Sequence, residues 1–444
     1  MPRDLSRRSF LKHVSAAGLA MPLILPRLSL AAPPSGRLQH AAIGVGGQGA
    51  SDLENIVASG KVDVYALCDI DERTLQKAAK RYPGARLYRD WREMLEKEEK
   101  NIDSVNVSTP DHMHAAPAMT AIRKGMHVFC EKPLTHEVYE ARKLTLAARE
   151  KGVATQMGIQ IHSHEFYRTA VHWLKAGAIG KVTAWHSWSA AVYTTDDKKR
   201  PAGADPVPEH VAWDLWLGVA PKRPYKKDIY HPFKWRCWRD FGGGATGDFG
   251  CHIFDPVFTA LEIGAPLSIV SETECVSDEV HPGWSIARYV FPGAALTAGK
   301  TIEAVWMDGG KMPAPGVSPH VPADRELPPS GSLVIGEEGT LLIPHVGPPK
   351  LFPEEKFKDY PKPELAPLDH YHEFVEAALG NGKPGANFDF AGPLTEAVLL
   401  GNIANRFPGE TLEWNAEKLK FTNHRKASDL LRRRYRGGWR VRGL

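Results

Sequence analysis

The chain is predicted to fold as a two-part α/β protein: a doubly wound parallel sheet, then an α/β domain built on a large, mainly antiparallel open sheet. Three observations predict this. From about residue 38 to 157, short β-rich runs alternate with helical stretches, the pattern of parallel strands joined by crossover helices. Beyond that, strands follow one another without helices between them, which demands antiparallel pairing. At 444 residues the chain also exceeds what one hydrophobic core sustains.

In the first part, strands are read at 40–44, 62–68, 86–88, 104–107, 127–130 and 153–156, and helical periodicity with charge spacing marks 72–81 and 138–151. A helix at 165–176 opens the second part, and strands follow at 182–189, 267–276, 287–291 and 294–301. Proline and glycine crowd 198–230 and 312–329, which read as long loops decorating the second sheet. Helices at 370–379 and 394–407 return to pack on the body. The resulting division is a leader (1–31), a nucleotide-type domain (36–157), a second domain (158–424) and a basic tail (425–444).

The leader carries Ser6-Arg7-Arg8-Ser9-Phe10-Leu11-Lys12, a twin-arginine export signal, ahead of an apolar run from 14 to 30 and a small-residue cleavage site near Ser29-Leu30-Ala31. Pro22, Pro26 and Arg27 interrupt a run already short of the roughly 20 apolar residues a membrane span needs, so a cleaved leader or loose tether is expected. The expectation is a periplasmic or otherwise extracytoplasmic protein that engages the twin-arginine translocase. Setting residues 1–31 aside leaves 51 basic and 51 acidic side chains. The remaining charge run, 425–442 with Arg432-Arg433-Arg434, reads as a solvated face, and no nucleic-acid partner is expected. The five cysteines form no spaced framework; Cys68 and Cys130 fall in or at the ends of buried strands, as small apolar residues do.

Gly44-Val45-Gly46-Gly47-Gln48-Gly49 follows the first strand and opens a helix, which lets backbone amides approach a pyrophosphate at a helix N-terminus. Asp69, at the end of the second strand, is placed to accept from ribose hydroxyls and to repel a 2′-phosphate, so NAD is favoured over NADP. These are the marks of a Rossmann dinucleotide-binding domain. After the fourth strand comes Ser108-Thr109-Pro110-Asp111-His112-Met113-His114, a turn expected on the nicotinamide side of the crevice. The pairs His112/His114 and His162/His164 are too short to bind a metal and lack a carboxylate or thiolate set, so none is expected.

Glu131-Lys132-Pro133 follows the fifth strand and puts an amine beyond the carboxyl ends of a parallel sheet, where ligands bind. Farther along, Asp248 and His252 are four apart in the glycine-rich stretch 241–255. If that stretch opens a helix they share one face, with imidazole suited to accepting a hydroxyl proton and carboxylate suited to orienting it. The alternative is a helix-capping Asp and a satisfied interior His.

Gly44-x-Gly46-x-x-Gly49, Thr109-Pro110-Asp111-x-x-His114, Glu131-Lys132-Pro133 and Asp248-x-x-x-His252 together resemble the Gfo/Idh/MocA oxidoreductase family, in particular its exported branch with glucose-fructose oxidoreductase and NAD-dependent glycosidases. The resemblance covers nearly all the mature chain. It implies NAD(P)-linked chemistry on sugars or cyclitols and, by analogy, a homo-oligomer. It also implies that Lys132 binds the reacting hydroxyl, that His252 acts as acid/base and that Asp248 positions substrate or His252. Cofactor contacts are expected from Gly44, Gly46, Gly47, Gln48, Gly49, Asp69, Ser108, Thr109, Pro110, His114, Glu131 and Lys132.

Trp213, Trp235, Arg236 and Trp238 have two readings, a glycan subsite in which indoles stack on sugar rings, or core aromatic packing with a solvated Arg. Outside the cytosol free nicotinamide cofactor is scarce, so the cofactor is expected to stay bound. Three functions remain open: a net oxidoreductase on a carbohydrate hydroxyl, a redox-neutral glycosidase working through a transient keto-sugar, and a sugar- or nucleotide-binding protein without chemistry.

Overall fold

The computed structural model describes residues 36–444; the expected leader lies outside the described residues. The first sheet has strands β1 (Leu38–Ile43), β2 (Val62–Cys68), β3 (Arg86–Tyr88), β4 (Ser104–Val107), β5 (His127–Glu131) and β6 (Thr155–Gly158), ordered β3-β2-β1-β4-β5-β6. All its pairings are parallel. β4, β5 and β6 are buried along their whole length, as befits a sheet covered on both faces by crossover helices.

Side chains set where those helices start. Asp71 accepts from Arg73 N–H to begin Glu72–Arg81, Asp90 does the same for Trp91–Lys97, and Glu137 with Glu140 forms a capping box for Val138–Lys151. Gly152, in the left-handed region at φ +69, ends that last helix. Among the described residues no helix is long and apolar enough to cross a membrane.

The second sheet has nine strands: β7 (Val182–Trp188), β8 (Ser268–Thr273), β9 (Ser285–Pro292), β10 (Thr301–Met307), β11 (Gly331–Gly336), β12 (Thr340–Pro344), β13 (Lys350–Phe352), β14 (Leu412–Asn415) and β15 (Lys420–Phe421). Its order is β13-β12-β11-β7-β10-β9-β8-β14-β15, antiparallel except where β7 lies parallel to β10. The helix Gly244–Leu261 runs against this sheet, its Phe254 and Phe258 packed on Trp185, Tyr289, Phe291 and Trp306. Each such burial is worth about 1.5–3 kcal/mol, so the helix that carries Asp248 and His252 is firmly seated. Gly250 lets it approach the helix Phe388–Ala404, because a Cβ there would lie 2.9 Å from Val398.

Three expectations need correction. The segment 294–301 is a hairpin turn, closed by Gly293 N–H donating to Lys300 O and by the Thr297 hydroxyl, so the strand begins only at Thr301. The helix expected from 394 starts earlier, at Phe388, capped by the Asn387 side chain and carrying Pro393 inside it. The basic tail is a solvated face only in part: Arg425, Lys426, Arg432, Arg434, Arg440 and Arg442 are exposed, but Arg433 donates to Glu137 at 2.7 Å and to Asp240 O at 2.8 Å, and Arg436 donates to Gly218 O at 2.9 Å. Leu431 and Trp439 are buried.

Candidate active site

The glycine turn is built for a close ligand. Gly44 holds φ +83 and an added Cβ would lie 2.5 Å from Ser108 O; a Cβ on Gly49 would lie 2.0 Å from Gly44 O. No larger residue fits either place, and the helix that follows, Gln48–Ala58, begins at Gly47 with no side chain capping its N-terminus. Asp69 stands at the end of β2, its carboxylate accepting from Val45 N–H at 3.0 Å and Asp71 N–H at 2.9 Å. Ionised, it keeps lone pairs for ribose hydroxyls. Burial raises its pKa to about 6. Thr109 Oγ1 is buried without a partner, an orphaned polar atom where the nicotinamide side is expected. These features fit a dinucleotide.

Other expected cofactor residues are spent within the protein. Ser108 Oγ donates to Asp52 at 2.7 Å, and Gln48 Nε2 donates to Asp52 at 2.8 Å. Both ring nitrogens of His114 face main-chain carbonyls, Pro133 O and Thr109 O, each at 2.8 Å. His114 thus ties the loop after β4 to the loop after β5, a correction to its reading as a cofactor ligand. Glu131 lies buried behind Lys132, accepting from Gln160 at 2.9 Å and from Lys132 N–H at 3.2 Å. Burial, then the Asp52 charge, push its carboxyl far up.

The two halves of the chain meet at Lys132. Its ammonium bonds Asp248 Oδ1, and Tyr193 donates its hydroxyl to Asp248 Oδ2 at 3.0 Å. Burial opposes both charges, yet Lys132 and Arg236 hold Asp248 down at about 2, while Asp248 and Glu131 keep the Lys132 pKa raised. The pair is ionised at neutral pH. His252 stands on the same helix face beside this pair, and burial followed by the Lys132 charge pushes its pKa well down, leaving a neutral imidazole. Asp248 does not bond His252, whose Nδ1 is buried without a partner. The carboxylate that spacing assigned to the imidazole is taken by Lys132 and Tyr193.

Arg236 brings Nε to 3.8 Å from Asp248 Oδ1, its guanidinium flanked by Trp235 at 4.1 Å and Phe233 at 4.5 Å. The indoles are a correction to the glycan-subsite reading. Trp213 and Trp216 stack on each other at 4.7 Å inside an aromatic cluster with Tyr230, Trp238 and Phe241, and the indole N–H groups of Trp213 and Trp238 are bonded to Arg223 O and Ile229 O. Trp235 is buried too, its N–H on Pro232 O.

Two site residues were absent from the sequence reading. Tyr193 lies in the loop after β7, and His345 follows β12 with its ring 5.4 Å from that of His252. Neither belongs to a local motif; only the sheet order brings them there.

The loop after β7 also crosses to the first domain. Val211 bridges Asp71, Glu72 N–H donates to His210 O at 2.8 Å, and His210 Nδ1 is 3.0 Å from Asp71 Oδ1. This strap lies two residues past Asp69, against the end of β2. Among the described residues no three His, Cys, Asp or Glu side chains converge as a metal site.

Known proteins match both halves of the chain. Residues 38–159 match an oxidoreductase family described by its NAD-binding Rossmann fold, and 170–292 match that family's C-terminal α/β domain. The chain is 24% identical over 180 residues to levoglucosan dehydrogenase of Pseudarthrobacter phenanthrenivorans, 40% of this chain and 37% of that one. It is 29% identical over 184 residues to glycosyl hydrolase family 109 protein 2 of Bacteroides fragilis, 39% of this chain and 43% of that one. These matches thus span less than half the length of either relative. WlbA dehydrogenase of Bordetella pertussis, solved with NADH and UDP-GlcNAcA, has the same fold at TM-score 0.59 and 17% identity, over 85% of this chain and 99% of that one. Aldose-aldose oxidoreductase of Caulobacter crescentus does so at TM-score 0.57 and 17% identity, over 85% of this chain and all of that one. With an NAD-binding Rossmann domain and the matching C-terminal α/β domain, the chain belongs to the Gfo/Idh/MocA oxidoreductase family.

Proposed function

We propose that this protein is an exported enzyme that removes hydride from a carbohydrate hydroxyl and retains its NAD through turnover. The observation that carries the reading is the ionised Lys132–Asp248 pair standing beside neutral His252 at the mouth of the glycine-turn crevice. When bound, NAD supplies the hydride acceptor. The chain supplies the rest: the Lys132 ammonium donates to the reacting oxygen and stabilises its developing negative charge, and the imidazole of His252 takes the hydroxyl proton. Asp248 keeps Lys132 charged and aimed, with Tyr193 fixing the carboxylate's other oxygen.

Relatives named for levoglucosan, 1,5-anhydro-D-fructose and inositol support a sugar or cyclitol as substrate. The leader at 6–12 supports export, and the strap across Asp71 supports retention by closing against the β2 end. A redox-neutral variant, in which a transient ketone allows a glycosidic substituent to leave, is favoured by the family 109 relatives and by a second imidazole in the site.

Purified protein is expected to carry nicotinamide absorbance that changes when its sugar is added. Bound cofactor with no change for any sugar would mark a binding protein. Release of aglycone from aryl glycosides, measured with and without added NAD, separates the two enzyme readings.

A further inference from the structure

Oxidising a hydroxyl to a ketone needs one proton acceptor, for the O–H. Expelling a substituent from the carbon two bonds away needs another, because the C–H between must also lose its proton. The site offers two imidazoles. His345 follows β12 on a backbone pinned by its own N–H, which donates to Ser330 O at 2.9 Å. The next residue, Val346, holds φ +61, a left-handed conformation that a β-branched residue adopts only under constraint. The His345 ring stands 5.4 Å from that of His252 and 5.8 Å from Phe249, centroid to centroid. Each proton transfer needs a heavy-atom approach of roughly 3 Å, so rings at this spacing can serve neighbouring carbons of one sugar. Nδ1 lies 3.2 Å from the Tyr167 hydroxyl. In the tautomer that carries hydrogen on Nδ1, that N–H is donated to the Tyr167 oxygen and the lone pair lies on Nε2 of the partly buried ring. Burial, then the Lys132 charge, lower the His345 pKa, so the ring is neutral and able to accept.

We infer that His345 is a second catalytic base, which removes the proton from the carbon next to the transient ketone so that the substituent on the following carbon leaves. The assignment rests on the redox-neutral reading above. The C–H electron pair becomes the C=C bond of an enone, the proton goes to His345 Nε2, and the C–O pair departs with the aglycone oxygen, which takes a proton from solvent. Water then adds its hydroxide to the carbon that lost the substituent and gives its proton to solvent, and His345 returns its own proton to the α-carbon.

The test supplies the ketone ready made. Wild type and His345→Asn are incubated in D2O with the methyl 3-keto-glucopyranosides of both anomeric forms, and loss of the α C–H signal is followed by proton NMR. NAD content, measured alongside, shows that the variant has folded. Wild type is expected to exchange roughly 10²–10⁴ times faster than His345→Asn, with His345→Gln equally slow. Equal rates in wild type and both variants overturn the assignment, as does wild-type exchange no faster than buffer alone. Hydride transfer is read separately, as nicotinamide absorbance after adding the corresponding alcohols. Loss of that signal with exchange retained sinks the dehydrogenase reading and not the base; the converse sinks the base alone.

Discussion

Lys132 and Asp248 are worth more together than either alone, because each offsets the cost of burying the other's charge. Asp248 is held at about 2 in the fold against an ordinary value of 3.8. A depressed carboxylate contributes stability that is complete above its unfolded pKa and is lost as pH falls through its folded one. That contribution is about 2 kcal/mol. Lys132→Met is therefore expected to lose the acid-limb stability between pH values of about 4 and 2, seen as a flattened acid-unfolding curve. It should also cut turnover by roughly 10²–10⁴ while NAD still binds; retained activity would remove Lys132 from the chemistry. Asp69 runs the other way. Its pKa is raised to about 6, so burial of the ionised form costs stability at neutral pH that is recovered as pH falls through that value. NAD affinity should weaken below about pH 6 as the carboxylate loses acceptor capacity. In a fluorescence titration at neutral pH, Asp69→Asn should bind NAD roughly 10–100-fold more weakly and show no such pH step.

At the scale of elements, the strand–glycine turn–helix unit was legible because its residues satisfy local rules: a buried strand, glycines where no Cβ fits, and an acid one strand later. Gly49→Ala drives a Cβ into Gly44 O and should cost about 1–3 kcal/mol, lowering the melting temperature and abolishing NAD retention together. Helices with clear caps, such as Glu72–Arg81 and Val138–Lys151, were equally legible. The strands β11 and β12 were not, because they are short and buried on both faces, and an apolar run of that kind carries no alternation to read. The hairpin at 294–301 misled for the opposite reason. Its small and apolar residues look β-rich, but Thr297 closes a turn on the main chain of Ala294. The indole-rich segment read equally well as a sugar platform or as core, and burial of Trp213, Trp235 and Trp238 decided it.

Across the whole molecule, the tail fastens one domain to the other. Arg433 reaches Glu137 beside the helix Val138–Lys151 while also holding Asp240 O in the second domain. Burial would raise the Glu137 pKa, but Arg433 and His136 bring it down, so the acid is ionised and depends on its partners. Arg433→Met strands that charge and is expected to cost about 3–5 kcal/mol, measured as a lower denaturant midpoint; a shift under half a kcal/mol would mean the tail contributes no clamp. By itself the sequence determined the parallel first domain, its dinucleotide turn and the family, and it singled out Lys132, Asp248 and His252 as candidates, because each is written in residues close together in the chain. Only the tertiary structure decided that Asp248 pairs with Lys132 rather than His252, that Tyr193 and His345 complete the site, and that the loop after β7 straps the nucleotide domain. Those contacts join residues far apart in sequence, and the meeting of the two domains together with the order of strands in the second sheet, which no local pattern encodes, is what brings them together.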